Sequence, residues 1–316
     1  MEQTKPLVVT PSPHFKDSVT TTSIMRDVII ALVPAVIASV VLFGARALLL
    51  EAVCVAACIG FEALFNVITH RQQTIGDLSA VVTGIILSFN LPPKMPLYMA
   101  VIGCFVAIVI AKQMFGGIGC NFANPAILAR VVLLVSFSQA MTSWEIPTMG
   151  AGGVELVSGA TPLGSIVASG MPEKLTYLQM FLGLGKGGCI GEVCGLALVL
   201  GGAYLLIRKI ITPTITFAFL GTVVIFTLLL GQNPLAHLLS GGLLLGAIFM
   251  ATDYSTSPAT EKGKLIYGIG CGVLTVVIRV FGSYPEGVSF AILLMNILTP
   301  HIDNLTRSKP FGGVKQ

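Results

Sequence analysis

Long apolar segments alternate with short polar segments along most of this chain. Apolar runs bounded by charged residues, glycine or proline predict ten segments, five on each side of a long polar loop. They lie at 28–43, 47–68, 78–89, 96–114 and 125–137, and at 190–207, 214–230, 235–250, 265–281 and 288–302. The third, fifth and eighth are short for a straight span, which needs about 20 apolar residues. The pattern predicts an all-α polytopic membrane protein with about ten transmembrane helices.

The basic residues predict the orientation of these spans. Ten spans put both termini on one side of the membrane. Twelve lysines and arginines, Lys112 among them, lie in tails and loops on that side, and five, Lys186 among them, lie on the other. Because cytoplasmic loops carry an excess of Lys and Arg, we expect both termini to face the cytoplasm and the central loop to be extracytoplasmic. The membrane would then be the inner (cytoplasmic) membrane of the cell.

Short strings recur between the two sets of segments. Leu78-Ser79 is echoed by Leu239-Ser240, and 114–116 by 280–282, at offsets near 165 residues. This pairs segments three to five with eight to ten. Since five is an odd number, the two copies would insert in opposite orientations, as inverted repeats. Polar interruptions follow the third and the eighth segment, at 90–93 and 252–258.

The expected organisation therefore has five parts. They are a cytoplasmic tail at 1–25, a first five-helix repeat at 26–138, an extracytoplasmic loop at 139–188, a second five-helix repeat at 189–303 and a cytoplasmic tail at 304–316. Sites tend to form where helices are interrupted near a repeat interface.

The composition is typical of a membrane protein and argues against nucleic-acid binding and against a metal site within this chain. Of 316 residues, 54% are hydrophobic and 10% are charged, against about 25% charged in soluble domains. The first 25 residues contain no apolar core, so no cleavable signal peptide is expected. A net charge of +4 does not suggest nucleic-acid binding. The seven cysteines form no C-x-x-C pair, and we expect no metal site or cluster ligated by this chain alone.

The central loop carries the string Ser158-Gly159-Ala160-Thr161. Glycines and Glu155 precede it, and Pro162 follows. Such a composition does not readily form helix or sheet, so we expect the Thr161 hydroxyl on an exposed backbone. The simplest alternative is an ordinary Gly/Ser/Thr turn.

Three acids lie in or at the edge of the apolar segments: Glu62, Glu192 and Asp253. An unpaired carboxylate is costly in the bilayer, so each needs a cation, a proton or a polar partner. Glu62 has no basic partner nearby in sequence, and Glu192 is expected near a helix N-terminus, which would stabilise it. Asp253 lies in an interrupted segment and is the strongest candidate to contact a cofactor or an ion. All three are candidates for an ion path.

Five strings together resemble one protein family. They are Ser158–Thr161; Ala251-Thr252-Asp253 with 256–258; 116–121 with Asn124-Pro125-Ala126; 187–192; and Gly60-Phe61-Glu62 with Leu64-Phe65. Two positions depart from the family pattern: Glu155 stands where aspartate is usual, and Tyr254 stands where proline is usual. The chain from 25 to 303 resembles the D subunit of the Rnf electron-transport complex, whose sister is the B subunit of the sodium-pumping NADH:quinone reductase.

The resemblance implies a redox subunit of an ion-pumping ferredoxin:NAD+ oxidoreductase. It implies FMN attached to Thr161 as a phosphoester, within the string Ser158, Gly159, Ala160, by a flavin transferase. It also implies a second, non-covalent riboflavin among the spans and coupling to Na+ or H+. The implied partners are a G-type flavoprotein, the paired A- and E-type iron–sulfur membrane subunits, and the B and C subunits.

Three further residues are candidates for flavin contact. The amides of Asn121 and Asn124 could contact a flavin ring or phosphate, or Asn124-Pro125 could simply start a helix. Lys186 lies in a glycine-rich stretch that we expect to form a helix N-terminus, which favours anions such as the FMN phosphate.

Two rival functions stay open at this level. The sister quinone reductase would deliver electrons to a quinone. A secondary transporter or channel with an incidental Ser-Gly-Ala-Thr string would move a substrate without bound flavin, and fold alone does not exclude it.

Overall fold

A computed structural model of the protein describes residues 19–150, 153–158, 176–282 and 287–307. Helices dominate this part of the chain. They are α1 Thr21–Phe43, α2 Ala45–Ile68, α3 Ser79–Phe89, α4 Leu97–Phe105, α5 Pro125–Ser136, α6 Ser138–Met141, α7 Tyr177–Leu182, α8 Gly195–Ile207, α9 Pro213–Leu229, α10 Pro234–Leu238, α11 Leu243–Leu245, α12 Glu261–Phe281 and α13 Val288–Thr306.

Each of the ten apolar segments contains helix. Within the described residues, five helical stretches are long and apolar enough to cross a membrane: Thr21–Phe43, Ala45–Ile68, Leu97–Phe115, Glu261–Phe281 and Val288–Thr306. Large apolar side chains such as Ile207, Leu229 and Leu305 are exposed, as expected of surfaces that face lipid. The chain is thus a multi-pass membrane protein, while the number of ten spans and the inverted repeat stay predictions.

Two helix starts differ from the sequence-based boundaries. Helix α1 begins at Thr21, inside the expected tail, because Thr20 and Ser23 form a reciprocal capping box. Helix α8 begins only at Gly195, so the expectation of a helix N-terminus at 187–192 is wrong. Residues 190–194 instead turn within the protein interior.

The eighth apolar segment is interrupted. Helix α10 is followed by Leu239 to Gly242, and the chain then resumes as α11 and a π-helical stretch, Gly246–Met250. Gly241 and Gly242 both have φ of +66°, a conformation that side chains with a Cβ rarely adopt. These two glycines explain why an unbroken apolar run does not form one straight helix.

Small residues bring the helices together. On α12, Gly268 and Gly272 lie against Ala218 and Thr222 of α9. On α8, Gly201 lies against the backbone of Ala31 in α1, where an added Cβ would be 2.1 Å from the Ala31 carbonyl oxygen. Close backbone approach through small residues is the usual packing mode in lipid, where apolar contact alone drives little association.

The interruption after α3 is completed by a segment from the second half of the chain. The backbone N–H of Ile190 donates to the carbonyl of Leu91 at 3.1 Å, and that of Gly191 donates to the carbonyl of Phe89 at 3.0 Å. Irregular backbone at membrane depth is tolerated only when protein groups satisfy it. Residues 190–191 meet that requirement here.

The central loop contains a two-stranded antiparallel sheet, so the expectation of an all-α protein is wrong in this detail. Strand β1, Glu145–Gly150, pairs with β2, Gly153–Ser158, and Glu145 is the partner of Ser158. Val154 and Val157 are β-branched and favour strands. For this reason the prediction that the stretch before Thr161 avoids regular structure does not hold for Gly153–Ser158.

Candidate functional site

A cavity lies where the first and second halves of the chain meet. The cavity opens to the outside on one side, and α1, α3, the loop before α5, and residues 249–255 line it. The predicted residues Asn121, Asn124 and Asp253 all lie on its wall. Residues separated by about 130 positions in sequence are thereby brought to one place.

The two asparagines on this wall have different bonding states. The Asn124 side-chain oxygen accepts from the backbone N–H groups of Ala126 and Ile127 and so caps α5, with Pro125 in its first turn. Its amide nitrogen donates to the Met250 carbonyl at 3.4 Å. The simpler interpretation, a helix start, therefore holds for Asn124.

Asn121, in contrast, keeps an acceptor for a ligand. Its side-chain oxygen is buried and has no hydrogen-bond partner among the described residues. A buried acceptor without a partner costs free energy of about 1–3 kcal/mol. A donor group bound in the cavity would remove that cost.

Asp253 lies in a turn between the spanning helices and is half-buried. Its carboxylate accepts hydrogen bonds from the Ser255 backbone N–H, the Ser255 hydroxyl and the Thr256 hydroxyl, at 3.4, 3.1 and 3.3 Å. Burial raises the pKa of Asp253, and the hydrogen bonds from Ser255 and Thr256 only partly offset this effect. The group is thus poised to take up a proton or a compensating positive charge.

Glu62 is fully buried and has a basic partner after all, Lys112. The Lys112 ammonium nitrogen lies 2.9 Å from Glu62 Oε2 and donates to the Ser79 hydroxyl at 2.6 Å. The Glu62 carboxylate also accepts from Gln113 Nε2 at 3.0 Å and from the Thr74 hydroxyl. Lys112 was counted as a loop charge when the orientation was predicted, which is wrong because its side chain is 2% exposed.

Sequence reasoning missed Lys112 and Ser79 as members of the cavity wall. Lys112 is 50 positions from Glu62, and no local pattern links them. The available signal was a lysine two residues before one of the repeated strings, at the end of an apolar segment.

A π-helical stretch in each half leads into the cavity. Val106–Lys112 continues α4 and ends at Lys112, and Gly246–Met250 continues α11 and leads to Thr252 and Asp253. The wider turn of a π-helix changes which side chains face a neighbouring helix, and such stretches are frequent at functional sites. The two charged residues of the described cavity wall, Lys112 and Asp253, therefore lie at the end of one π-helical stretch and just after the other.

Glu192 and Lys186 lie outside this cavity. Glu192 is 4% exposed, its carboxylate lies against Gly188 and Gly242, and Oε2 has no hydrogen-bond partner among the described residues. The Lys186 ammonium is buried and donates to the carbonyls of Glu192 and Leu239 at 3.2 and 2.6 Å. A role of Lys186 in phosphate binding stays a prediction.

The hairpin fixes the start of the Ser158–Thr161 string. Glu145, the strand partner of Ser158, also forms a backbone bridge with Gly188, and its buried carboxylate pairs with Lys94. Gly159, Ala160 and Thr161 lie outside the described residues. Within the described residues, no group of His, Cys, Asp and Glu could hold a metal ion.

A family model described as "NQR2, RnfD, RnfE family" matches residues 8–312. The chain belongs to this family. It is 46% identical over 310 residues to the D subunit of the Na(+)-translocating ferredoxin:NAD(+) oxidoreductase complex of Acetobacterium woodii, covering 98% of this chain and 96% of the relative. The family resemblance inferred from the five strings is confirmed.

Of two further relatives, one is named for protons and the other for no particular ion. The chain is 42% identical over 319 residues to the D subunit of the proton-translocating ferredoxin:NAD(+) oxidoreductase complex of Clostridium ljungdahlii, covering 96% of each. It is 40% identical over 324 residues to the D subunit of the ion-translocating oxidoreductase complex of Stutzerimonas stutzeri, covering 92% of this chain and 91% of the relative. Similarity of this degree therefore does not decide the coupling ion.

Proposed function

We propose that this chain is the D-type membrane subunit of an ion-translocating ferredoxin:NAD+ oxidoreductase complex. The observation that carries this proposal is the 46% identity across 98% of the chain with the Acetobacterium woodii protein. Such a subunit takes electrons from a neighbouring subunit and passes them on within the membrane. Other subunits of the complex are therefore its partners, among them the G-type flavoprotein, the A- and E-type iron–sulfur subunits, and the B and C subunits.

Thr161 is the proposed attachment site of FMN through its phosphate. The Ser-Gly-Ala-Thr string supports this assignment, together with the hairpin that holds Ser158 beside the Lys94 and Gly188 loops. The excess of basic residues on the terminal side supports an extracytoplasmic position, where a flavin transferase would reach the threonine. Once the buried Lys112, Lys186 and Arg279 are left out, eleven basic residues still oppose three.

In-gel fluorescence tests the attachment site. The full-length chain, produced in a host that has the transferase, should give a band that fluoresces under ultraviolet light after denaturation. Thr161→Ala should abolish the signal because no hydroxyl remains to form the phosphoester. The matched control is Thr142→Ala, an exposed threonine of the same central loop. Equal fluorescence of the Thr161→Ala band and the control band would disprove the assignment.

The cavity is the proposed site of the non-covalent riboflavin. The unpartnered Asn121 oxygen supports this assignment, because it would accept a hydrogen bond from the ring or the ribityl chain. When bound, riboflavin supplies a group that carries one or two electrons. Asn121 would orient it, and the apolar side chains of α1 and α3 would pack against it.

Electron arrival and ion movement are proposed to be coupled through the arrangement of the two halves. Glu62, Glu192 and Asp253 are the candidate residues for the Na+ or H+ path. An inverted repeat of two five-helix units would allow the halves to rock against each other around the cavity. Both termini would lie in the cytoplasm and the subunit in the cell membrane.

A further inference from the structure

Lys112 occupies an unusual position for a lysine. Its side chain is 2% exposed, yet it forms part of the cavity wall. The chain carries it there on the last turn of the π-helical stretch Val106–Lys112. A buried ammonium is costly, and this one is offset by Glu62, which lies 2.9 Å behind it on the side of α2.

The charges on the cavity wall are few. Among the described residues that line it, Lys112 and Asp253 are the charged ones, and Tyr254 is the other titratable group. Burial makes Asp253 reluctant to ionise, since it raises the pKa of that carboxyl group. Lys112 is therefore the positive charge that a group bound in the cavity would meet.

The hydrogen bonds of Lys112 fix where the ammonium lies. The ammonium donates one hydrogen bond to Glu62 Oε2 and another to the Ser79 hydroxyl at 2.6 Å. The Glu62 carboxylate is held in turn by Gln113 Nε2 at 3.0 Å and by the hydroxyl of Thr74, an exposed residue of the loop after α2. An ammonium group has three protons, so one N–H direction remains beyond these two bonds.

We propose that Lys112 is a positioning residue that stabilises the reduced, negatively charged form of the flavin in the cavity, with Glu62 as its counter-ion. This inference rests on the proposed function, because it needs a flavin in the cavity. Oxidised flavin takes up two electrons and one proton to give a ring with one negative charge. The electrons come from an external reductant, and the proton comes from water in the open part of the cavity.

The neutral flavin gains little from the ammonium, and the reduced ring gains an attraction in a site of low dielectric constant. Lys112 therefore raises the reduction potential of the bound flavin. In equilibrium terms, it makes the reduced flavin bind more tightly than the oxidised flavin. Because Glu62 shares the ammonium, reduction of the flavin also draws Lys112 away from Glu62.

The test uses the full-length chain, purified in detergent from a host without the flavin transferase, so that bound flavin is non-covalent. Riboflavin affinity is titrated in the oxidised state and again after reduction with dithionite. In Lys112→Met the preference for reduced over oxidised flavin should fall by about tenfold or more. In Lys112→Arg, which keeps the charge, it should stay near the wild-type value.

A second variant guards against loss of folding. Lys112→Met leaves Glu62 without its cation, which destabilises a buried site. Glu62→Gln/Lys112→Met removes both charges together, so it should fold and show the same direction of change. Lys262→Met removes an exposed lysine at the start of α12 and should change nothing.

The outcomes separate this inference from the proposed function. If the wild-type chain binds no riboflavin, the flavin assignment of the cavity fails. If it binds riboflavin and the double variant keeps the wild-type ratio of affinities, the role of Lys112 is wrong. Equal loss of affinity in both redox states would also overturn it, since it would mean that Lys112 serves only to shape the cavity.

Discussion

The three acids singled out by the sequence occupy three different environments. Glu62 is ion-paired and fully buried, and Asp253 is half-buried and hydrogen-bonded by its own turn. Glu192 lies between two glycines with one oxygen unpartnered among the described residues. Three acids in similarly apolar sequence therefore have different partners: tertiary contacts surround Glu62, and contacts within one turn hold Asp253.

Replacement of Asp253 should reveal the energetic cost of its charge. Because burial raises the pKa of this carboxyl, the folded state binds its proton more tightly than the unfolded state, and stability falls as the pH rises. Asp253→Asn has no such charge and keeps an acceptor for the Ser255 N–H. At pH 8 the flavin-free variant should therefore unfold at the same or a higher temperature than the wild type.

Below the ordinary pKa of 3.8, the carboxyl is protonated in both states and this advantage of Asp253→Asn should vanish. Thermal unfolding in detergent between pH 3 and pH 8 measures the trend. A variant that is less stable than the wild type at pH 8 but equal to it at pH 3 would contradict the argument, because it would mean that the ionised carboxylate is stabilising.

At this scale the sequence strings led to polar residues that lie together in the structure, but not to what those residues contact. Asn121, Asn124 and Asp253 were chosen from strings and do line one cavity. Their separate roles were out of reach, because a helix cap and an unpartnered amide look alike in sequence. Lys112 was misplaced for a related reason, since a lysine at the end of an apolar segment is usually solvated.

Among the helices, glycine determines how closely neighbours approach. In α8 an alanine at position 201 would place its Cβ 2.1 Å from the Ala31 carbonyl oxygen, so α1 and α8 must move apart. Gly201→Ala should destabilise the protein by about 1–3 kcal/mol despite the better helix propensity of alanine. Thermal unfolding and the yield of folded protein in detergent measure the effect.

The matched control is Gly221→Ala in α9, where nothing lies within 4 Å of the added Cβ. This change should be neutral or stabilising by roughly 0.5–1 kcal/mol, because alanine is the better helix former. If the two variants were equally stable, the contact between α1 and α8 would not depend on close approach at Gly201.

In each half, a basic residue bonds to the serine of the repeated Leu-Ser string. Lys112, just before the first repeated string, donates to the Ser79 side chain at the start of α3. Arg279, just before the second copy of that string, donates to the Ser240 carbonyl at 2.8 Å. Ser79 and Ser240 are themselves equivalent in the proposed repeat. The two basic residues are not at equivalent positions, because the offset between the repeated strings pairs Lys112 with Ile278 and Gln113 with Arg279, so the inverted repeat stays a prediction.

For the whole molecule, the orientation can be tested by labelling introduced cysteines. Of the seven native cysteines, Cys120 is exposed, Cys194 is partly exposed and the others are buried. Substitution of Cys120 and Cys194 therefore gives a protein whose native cysteines react little with the label. Ser143→Cys, exposed before β1, should react with an impermeant maleimide in intact cells. Gln72→Cys, exposed after α2, should react only after permeabilisation. The reverse pattern would invert the proposed topology.

The apolar pattern predicted where helices occur because a spanning helix needs a long unbroken apolar run, and such runs are visible without an alignment. It did not predict the break at 239–242, since Gly241 and Gly242 interrupt the helix through backbone conformation rather than polarity. The hairpin Glu145–Ser158 was missed for the opposite reason. Its strands are short and lie among glycines, so the local composition looks like that of a loop.

The hydrogen bonds from Ile190 and Gly191 to the carbonyls of Leu91 and Phe89 have a consequence for biosynthesis. These donors are made about 100 residues later than the acceptors, which at about 5–20 residues per second is a delay of roughly 5 to 20 s. Until then the two carbonyls lack these partners, which costs several kcal/mol for each group that lies in the hydrocarbon region of the membrane. A polypeptide that ends in the central loop therefore cannot complete its own fold and is a natural target for the proteases that clear unfinished membrane proteins.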